Sequence, residues 1–427
     1  MEKIQKIKGF ADILPPDSAV FVRLEAAARR VFTRYGYLEA RLPLLERTEL
    51  FSRTIGQETD VVQKEMYTFA DRKGRSLTLR PEATAGVLRA YIENGLHTQE
   101  EITRLFTIGP MFRYERPQKG RMRQFHQINV EALGTASPFL DAEMLFMLAH
   151  YLGEIGLGDI SFELNSLGCP QCRPGFLQAL SEYFRGFDTG TLCEDCLRRK
   201  LTNPLRVLDC KVPGCKELTR TAPKITDYLC PDCAEHFKTV LGLLDKGQLV
   251  YTLNPRLVRG LDYYSRTTFE VTSTGIGAQS AVAGGGRYDG LIGSLGGPEK
   301  PGMGFACGME RLALLVGQGQ APKIDFYLAV LDDQALGQGL MLAQELRAAG
   351  LSGECALSAK SLKSQMRQAD RLGVRFCLIL GSTEMAASTV VVKDMGLGRQ
   401  ETIAQADLAE YLRRAAPCPA SGDASHG

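Results

Sequence analysis

FRYERPQKGRMRQFHQINVEALG, residues 112–134, reads as two alternating runs separated by a basic, glycine-containing connection from Arg116 to Arg123. With a period of two, Arg113 and Glu115 share one face of the first run. Gln127, Asn129 and Glu131 share one face of the second. A β-ribbon that commits arginine, carboxylates and amides to one surface is costly unless that surface meets a ligand. The expected ligand is polar with an anionic part, and the basic connection should meet a second anion.

Outward from that ribbon, 427 residues suffice for two or three domains. Hydrophobic residues make up 44% and charged residues 23%, which suits a globular chain with a sizeable core. A formal net charge of +2 excludes a diffuse, histone-like nucleic-acid binder and leaves room for local basic surfaces. No run approaches the roughly 18 apolar residues of a membrane span. The opening MEKIQKIKGFADILPPD lacks the apolar core of a signal peptide, so a cytoplasmic location is expected.

Asp17 or Ser18 is placed to cap a helix that continues to Gly36, and EATAGVLRAYIEN and DAEMLFMLAHYLGEI suit two more. SLTLRP, ISFELNS and the long YTLNPRLVRGLDYYSRTTFEVT look strand-like, while GMGFACGMERLALLVG reads as strand into helix. QGQAPKI, 318–324, looks like a linker. Beyond it, strands alternate with helices, which predicts a small α/β domain with a mixed, mainly parallel sheet. The last residues, 416–427, have no periodic pattern and read as a disordered tail.

Arginine recurs in three unusual contexts: Arg113 in FRYE, Arg259 in LVRGLDYY and Arg311 in GMERL. Its fixed charge and forked donors match phosphate oxygens, and three such groups could surround a triphosphate. GGGRYDG, 284–290, permits close backbone approach to a ligand. It is no P-loop, since no Gly-Lys-Ser/Thr follows, and no G-x-G-x-x-G opens a helix. In RPEATAG, 80–86, Glu82 and Thr84 stand where a strand yields to a helix. Helix capping and the holding of an ammonium group are both open there.

Eight cysteines fall in a polar, mainly helical stretch, 169–236, as four pairs: Cys169 with Cys172, Cys193 with Cys196, Cys210 with Cys215, and Cys230 with Cys233. In a cytosolic chain such pairs suggest zinc rather than disulfides. Two pairs complete a tetrahedral site, so one or two sites are open. His236 could replace a cysteine ligand, His126 reads as structural, and Cys307, Cys355 and Cys377 read as small core residues.

Taken jointly, these segments resemble histidyl-tRNA synthetase, a class II aminoacyl-tRNA synthetase of bacterial type. FRYE…QFHQINVE looks like motif 2 of the class, and GMGFACGMERL looks like motif 3. LVRGLDYY and GGGRYDGL resemble the two segments peculiar to the histidine enzyme. The resemblance implies an α+β catalytic domain built on an antiparallel sheet, over 1–168 and 237–320. A helical, Cys-rich insertion would span 169–236, and an α/β anticodon-binding domain 325–415. It implies an ATP-dependent ligase that makes histidyl-adenylate and charges tRNA(His), with magnesium accompanying the ATP and a homodimeric state.

The resemblance also implies roles. Glu82, Thr84 and Gln127 would hold the α-amino group of L-histidine. Glu131 and Tyr264 would read the imidazole, helped by Tyr263 or Tyr288. Arg113 and Arg259, the expected catalytic pair, would flank the α-phosphate, with Glu115 at the adenine and Arg311 at the γ-phosphate. Arg116, Gln118, Lys119, Arg121 and Arg123 would hold the tRNA acceptor end. Lys360, Lys363, Arg367 and Arg371 recur at helical spacing and would face tRNA. The family's insertion generally needs no metal, so the cysteine pairs depart from it. Synthetase-like chains also serve as regulatory subunits of the first enzyme of histidine biosynthesis. Those chains lose the catalytic arginines and the anticodon domain, which this chain keeps.

Overall fold

The computed structural model describes residues 3–56, 59–187, 191–276, 281–317 and 324–415. The chain divides into two units, Met1–Gly319 and Gln320–Gly427. The expected tail, and all of the expected linker except Ile324, lie outside the described residues.

The first unit contributes β1 (Leu38–Glu39), β2 (Leu45–Arg47), β3 (Tyr67–Ala70), β4 (Ser76–Leu79), β5 (Thr103–Phe112) and β6 (Gln124–Leu133). It continues with β7 (Ser161–Ser166), β8 (Tyr251–Leu253), β9 (Ser265–Thr272), β10 (Ala281–Arg287) and β11 (Gly302–Gly308). Eight of these form one sheet in the order β1-β5-β6-β11-β10-β9-β7-β8. Its middle is antiparallel throughout, and the edge pairs β1/β5 and β7/β8 are parallel. A small sheet, β2-β4-β3, lies apart.

Alternation along β6 decides which face does what. Ile128, Val130 and Ala132 are buried in the main core, and Gln127, Asn129 and Glu131 take the other face. The helix Asp17–Arg34 presents Val20, Leu24, Ala27 and Val31 to that core, at the spacing of one helical face. Each fully buried Val or Leu there contributes roughly 1.5–3 kcal/mol. Neither Asp17 nor Ser18 caps this helix; Pro16 precedes it and Asp17 sits in its first turn, where a carboxylate favours the positive helix end.

Two strand expectations need correction. β5 ends at Phe112, so Arg113 and Glu115 stand on the connection rather than on a strand face. The Tyr114 amide donates instead to Glu65 O at 2.7 Å, which takes the chain out of the ladder. Likewise, 251–272 is not continuous strand: residues 254–264 form a loop between β8 and β9. The Leu257 amide turns back to Asn254 O at 2.9 Å, and Pro255 has no amide to offer a ladder.

Residues 169–236 carry the helices Arg173–Phe184, Glu194–Thr202 and Pro213–Leu218 and the start of Pro231–Lys246. Phe176, Leu180, Phe184 and Val207 centre a separate small core.

The second unit has its own five-stranded sheet and core. β12 (Phe326–Val330), β13 (Gly353–Cys355), β14 (Phe376–Leu380), β15 (Thr389–Asp394) and β16 (Gln400–Ala404) lie in the order β13-β12-β14-β15-β16. The expected mainly parallel sheet is half antiparallel: β12 runs parallel to β13 and β14, whereas β14/β15 and β15/β16 are antiparallel. The last two connections are too short for a parallel crossover, which needs about a dozen residues or more. Among the described residues, no helix is long and apolar enough to cross a membrane.

Candidate active site

A cavity of about 420 Å³ opens on the polar face of the large sheet, and Arg113, Arg259 and Arg311 all line it. Arg113 stacks its guanidinium 5.3 Å from the Phe125 ring centroid and donates from Nε to Pro81 O at 2.8 Å. Burial lowers its pKa, opposed by Glu65 and Glu82, yet an arginine stays charged. Arg259 reaches in from the 254–264 loop and pairs with Glu270 on β9 at 2.9 Å. Arg311, in the first turn of the helix Met309–Val316, donates to Gly120 O at 3.2 Å and Ala281 O at 2.6 Å. Arg259 Nε, Gln127 Oε1 and Asn129 Nδ2 are buried without a hydrogen-bond partner. Each such atom costs about 1–3 kcal/mol until something polar meets it.

The deep end is built from carboxyls and hydroxyls. Both oxygens of Glu82 accept backbone amides, from Thr84 at 2.7 Å and Ala85 at 2.9 Å, so Glu82 caps the helix Thr84–Glu93 and lines the cavity as well. Thr84 Oγ1 donates to Glu131 Oε1 at 2.6 Å, and the Tyr288 hydroxyl donates to Glu131 Oε2. Glu131 is 2% exposed, and burial pushes its carboxyl up to about 8 against the opposing pull of those two hydroxyls. Tyr263 stacks on Tyr264 with ring centroids 4.6 Å apart and meets Tyr288 edge-on at 5.8 Å. Tyr264 packs against Arg259 instead, whose guanidinium lies 5.7 Å from its ring.

The basic connection divides. Arg116, Gln118 and Lys119 are exposed. Arg121 turns into the cavity and pairs with Glu115. Arg123 is a brace: it donates to Glu115 O at 3.2 Å and Lys8 O at 3.4 Å and stacks 3.8 Å from the Tyr114 ring.

The glycine run is a buried strand, β10, and its openness serves side chains. A Cβ at Gly284 would sit 2.5 Å from Arg259 Nη2. On β11, a Cβ at Gly304 would collide with the Glu131 carboxyl. Gly284 lines the cavity itself, so the run gives clearance to a cavity arginine as well as backbone at the cavity wall.

The cysteines gather into two groups, Cys169, Cys172, Cys230 and Cys233, and Cys193, Cys196, Cys210 and Cys215. Within each group the sulfurs all lie within 4.8 Å of one another. Sequence spacing alone could not say which pairs combine. His236 is no ligand: Nε2 meets Asp141 at 2.8 Å and Nδ1 faces Arg266 at 3.3 Å. His126 bonds Glu310 at 3.0 Å. Cys307 and Cys377 are buried, whereas Cys355 is half-buried.

Several cavity residues were not singled out from the sequence. Glu270 alternates with buried Phe269 and Val271 in SRTTFEVT, a signal the period of two could have given. Arg206, Asp209 and Lys211 reach the cavity from the insertion, which no local pattern announces. In the second unit, Lys360, Lys363, Arg367 and Arg371 are all exposed, with the last three on the helix Leu362–Leu372 opposite buried Gln365 and Ala369.

A family model for histidyl-tRNA synthetase matches residues 9–180 and 199–312, and one for an anticodon binding domain matches 325–415. A histidine–tRNA ligase from Solidesulfovibrio magneticus is 66% identical over 413 residues, covering 97% of this chain and 98% of that protein. One from Nitratidesulfovibrio vulgaris is 62% identical over 412 residues, covering 96% and 99%. The crystal structure of apo S. aureus histidyl-tRNA synthetase superposes with a TM-score of 0.80 at 36% identity, covering 96% of this chain and all of that one.

Proposed function

Since this chain belongs to the histidyl-tRNA synthetase family, we propose that the cavity of Arg113, Arg259 and Arg311 is where L-histidine meets ATP. The activity is that of an ATP-dependent histidine–tRNA ligase. The histidine carboxylate attacks the α-phosphorus in line, and the bond to pyrophosphate breaks. A ribose hydroxyl at the 3′ end of tRNA(His) then displaces AMP from the histidyl carbonyl.

No side chain need act as nucleophile, so the residues serve by position and charge. Arg113 and Arg259 flank the α-phosphate and stabilise the charge that builds on its oxygens. Arg311 meets the γ-phosphate. Glu115, oriented by Arg121, meets the adenine. Glu82, Thr84 and Gln127 hold the α-amino group, for which the bare Gln127 Oε1 is a ready acceptor. Glu131 and Tyr288 read one end of the imidazole, with Tyr263 and Tyr264 as its walls. A ring with two nitrogens satisfies such polar groups, and an apolar analogue would leave them stranded. Magnesium needs oxygen ligands; Glu270, in the same cavity, is fit to supply one, and the bound ion would neutralise phosphate charge. Arg116, Gln118 and Lys119 are exposed and suit the tRNA acceptor end. Residues 325–415 take the anticodon region, and the protein works as a cytoplasmic homodimer.

The two four-cysteine groups are read as zinc sites. Sulfur separations are 3.6 and 3.9 Å in one group and 3.8 Å in the other. A tetrahedron with zinc–sulfur bonds of about 2.3 Å has edges of about 3.8 Å, whereas a disulfide needs about 2.05 Å. Elemental analysis should find about two zinc ions per chain; under about 0.2 would end this reading.

The observation that carries the ligase assignment to these residues is the convergence of three arginines on one cavity beside the buried Thr84–Glu131–Tyr288 group. ATP–pyrophosphate exchange run with each of the twenty amino acids tests it. Exchange with histidine alone is expected. No exchange with any of them would favour a non-catalytic regulatory subunit.

A further inference from the structure

The loop 254–264 holds Arg259, Tyr263 and Tyr264, yet it leaves the sheet and has no ladder of its own. Its support comes from the Cys-rich insertion. Arg206 Nη1 donates to the backbone oxygen of Arg259 at 2.7 Å. Asn203 Nδ2 donates to Asp262 at 3.2 Å. Both stand between Cys196 and Cys210, two members of one cysteine group. Arg173, the residue after Cys172, donates to the backbone oxygen of Tyr264. Gly168, just before Cys169, accepts the amide of Arg266 at 2.8 Å, and Leu167 donates to Arg266 O at 2.7 Å. Arg266 is held there at φ 46°, a left-handed conformation that a non-glycine residue seldom adopts unaided. Val258 and Tyr264 are themselves part of the insertion's small core.

Both cysteine groups also have one backbone amide turned onto a sulfur of the opposite pair: Cys230 N to Cys172 Sγ at 3.1 Å, and Cys193 N to Cys215 Sγ at 3.2 Å. Such amide contacts orient a sulfur that would ligate a metal. The segments carrying Arg173, Asn203 and Arg206 pack on the insertion's small core through Phe176, Leu180, Val207 and Leu208, and each runs beside a cysteine group. Closing each by four bonds to one ion would fix them with little chain.

We propose that the two cysteine groups form a metal-held brace, in which Arg173, Asn203 and Arg206 are positioning residues for Arg259 and the tyrosines of the histidine pocket. The proposal rests on the zinc reading for what closes the brace, but its side-chain contacts stand apart from it. Arg173 and Asn203 stand outside the cavity, and Arg206, which lines it, acts on Arg259 through the backbone oxygen. Through Arg206 it sets where Arg259 sits, so loss of that one contact should slow adenylate formation far more than it weakens binding of histidine, whose amino group and imidazole also meet Glu82, Gln127 and Glu131.

The test uses the full chain. Arg206→Ala should keep its zinc and its melting temperature and lower the kcat of histidine-dependent pyrophosphate exchange at least tenfold, with KM for histidine changed less than threefold. Arg206→Lys, which keeps one donor toward Arg259 O, should recover a large part. Hydrogen–deuterium exchange should speed up in peptides covering 257–264 in Arg206→Ala, and likewise in a Cys193→Ser/Cys196→Ser variant that has lost one zinc. Normal kcat and unchanged protection in Arg206→Ala, with zinc bound, would overturn the brace and leave the zinc reading intact. A chain without zinc in which Arg206→Ala still loosens the loop would keep the brace and end the zinc reading. If removing zinc leaves residues 257–264 as protected as before, the metal's part in the brace is refuted.

Discussion

Gly284 on β10 lies directly against the guanidinium of Arg259, so close that a single added methyl would overlap it. Arg259 is meanwhile tethered to Glu270 across the same site. The glycine therefore sets the place of a cation rather than a bend in the chain. Gly284→Ala should leave the fold intact, because β10 stays paired on both sides with β9 and β11. Displacement of the guanidinium by about 1 Å should cost about a hundredfold in pyrophosphate exchange. Circular dichroism alongside the exchange assay checks this, and near-normal exchange would refute it.

Arg259→Ala should fold normally and lose adenylate formation by at least about a hundredfold, the scale of one preorganised donor at a developing charge. Exchange within about threefold of the parent would remove Arg259 from the mechanism. Arg259→Lys should recover little, because an ammonium cannot reproduce the fork.

The Glu131 carboxyl, held up near 8 by burial, gives histidine binding a definite dependence on pH. Free imidazole titrates near about 6.5. Between roughly 6.5 and 8, the site brings the proton and the ligand arrives neutral, so nothing is exchanged with solvent. Above about 8 the ionised acid must regain a proton on binding, and affinity falls toward tenfold per pH unit. Below about 6.5 the ligand arrives charged and a proton must be released, so affinity falls again. Calorimetric titration of histidine from pH 5 to 9 should show this plateau. Glu131→Gln should weaken binding throughout and make the alkaline limb shallower, leaving the part that comes from the ligand's own α-amino group. An alkaline limb unchanged in the variant would contradict the assignment.

Much of this site was legible in the sequence because strands write their faces with a period of two. Gln127, Asn129 and Glu131 could be assigned to one face before any coordinates, and the arginines stood out by their contexts. What escaped was non-local. The pairing of Cys169/Cys172 with Cys230/Cys233 depends on how the insertion folds back. The Tyr288 hydroxyl bonds Glu131 while the Tyr264 ring lies against the Arg259 guanidinium, contacts that neither GGGRYDG nor LVRGLDYY announces alone. Arg113 looked like a strand residue until the Glu65 carbonyl, 49 positions before Tyr114, was seen to take the next amide.

In the second unit, Lys363, Arg367 and Arg371 project from a helix whose other side is buried by Gln365 and Ala369. Replacing Lys363 and Arg367 with Gln should raise the KM for tRNA in charging and leave pyrophosphate exchange unchanged. If both touch phosphate, the slope of log affinity against log salt should flatten by about 0.7 per contact on single-stranded RNA. An unchanged slope would place the tRNA elsewhere.

Across the central sheet, Gln127, Asn129 and Glu131 on β6 stand opposite Gly308, Ala306 and Gly304 on β11. One strand supplies chemistry and its neighbour supplies clearance. Saturation mutagenesis of the two should therefore look unlike. β6 positions should accept polar replacements of equal bulk without loss of the fold, at a cost to histidine binding. Gly304 should refuse any larger residue whatever its polarity. Room, more than reactivity, is what this pocket cannot trade away.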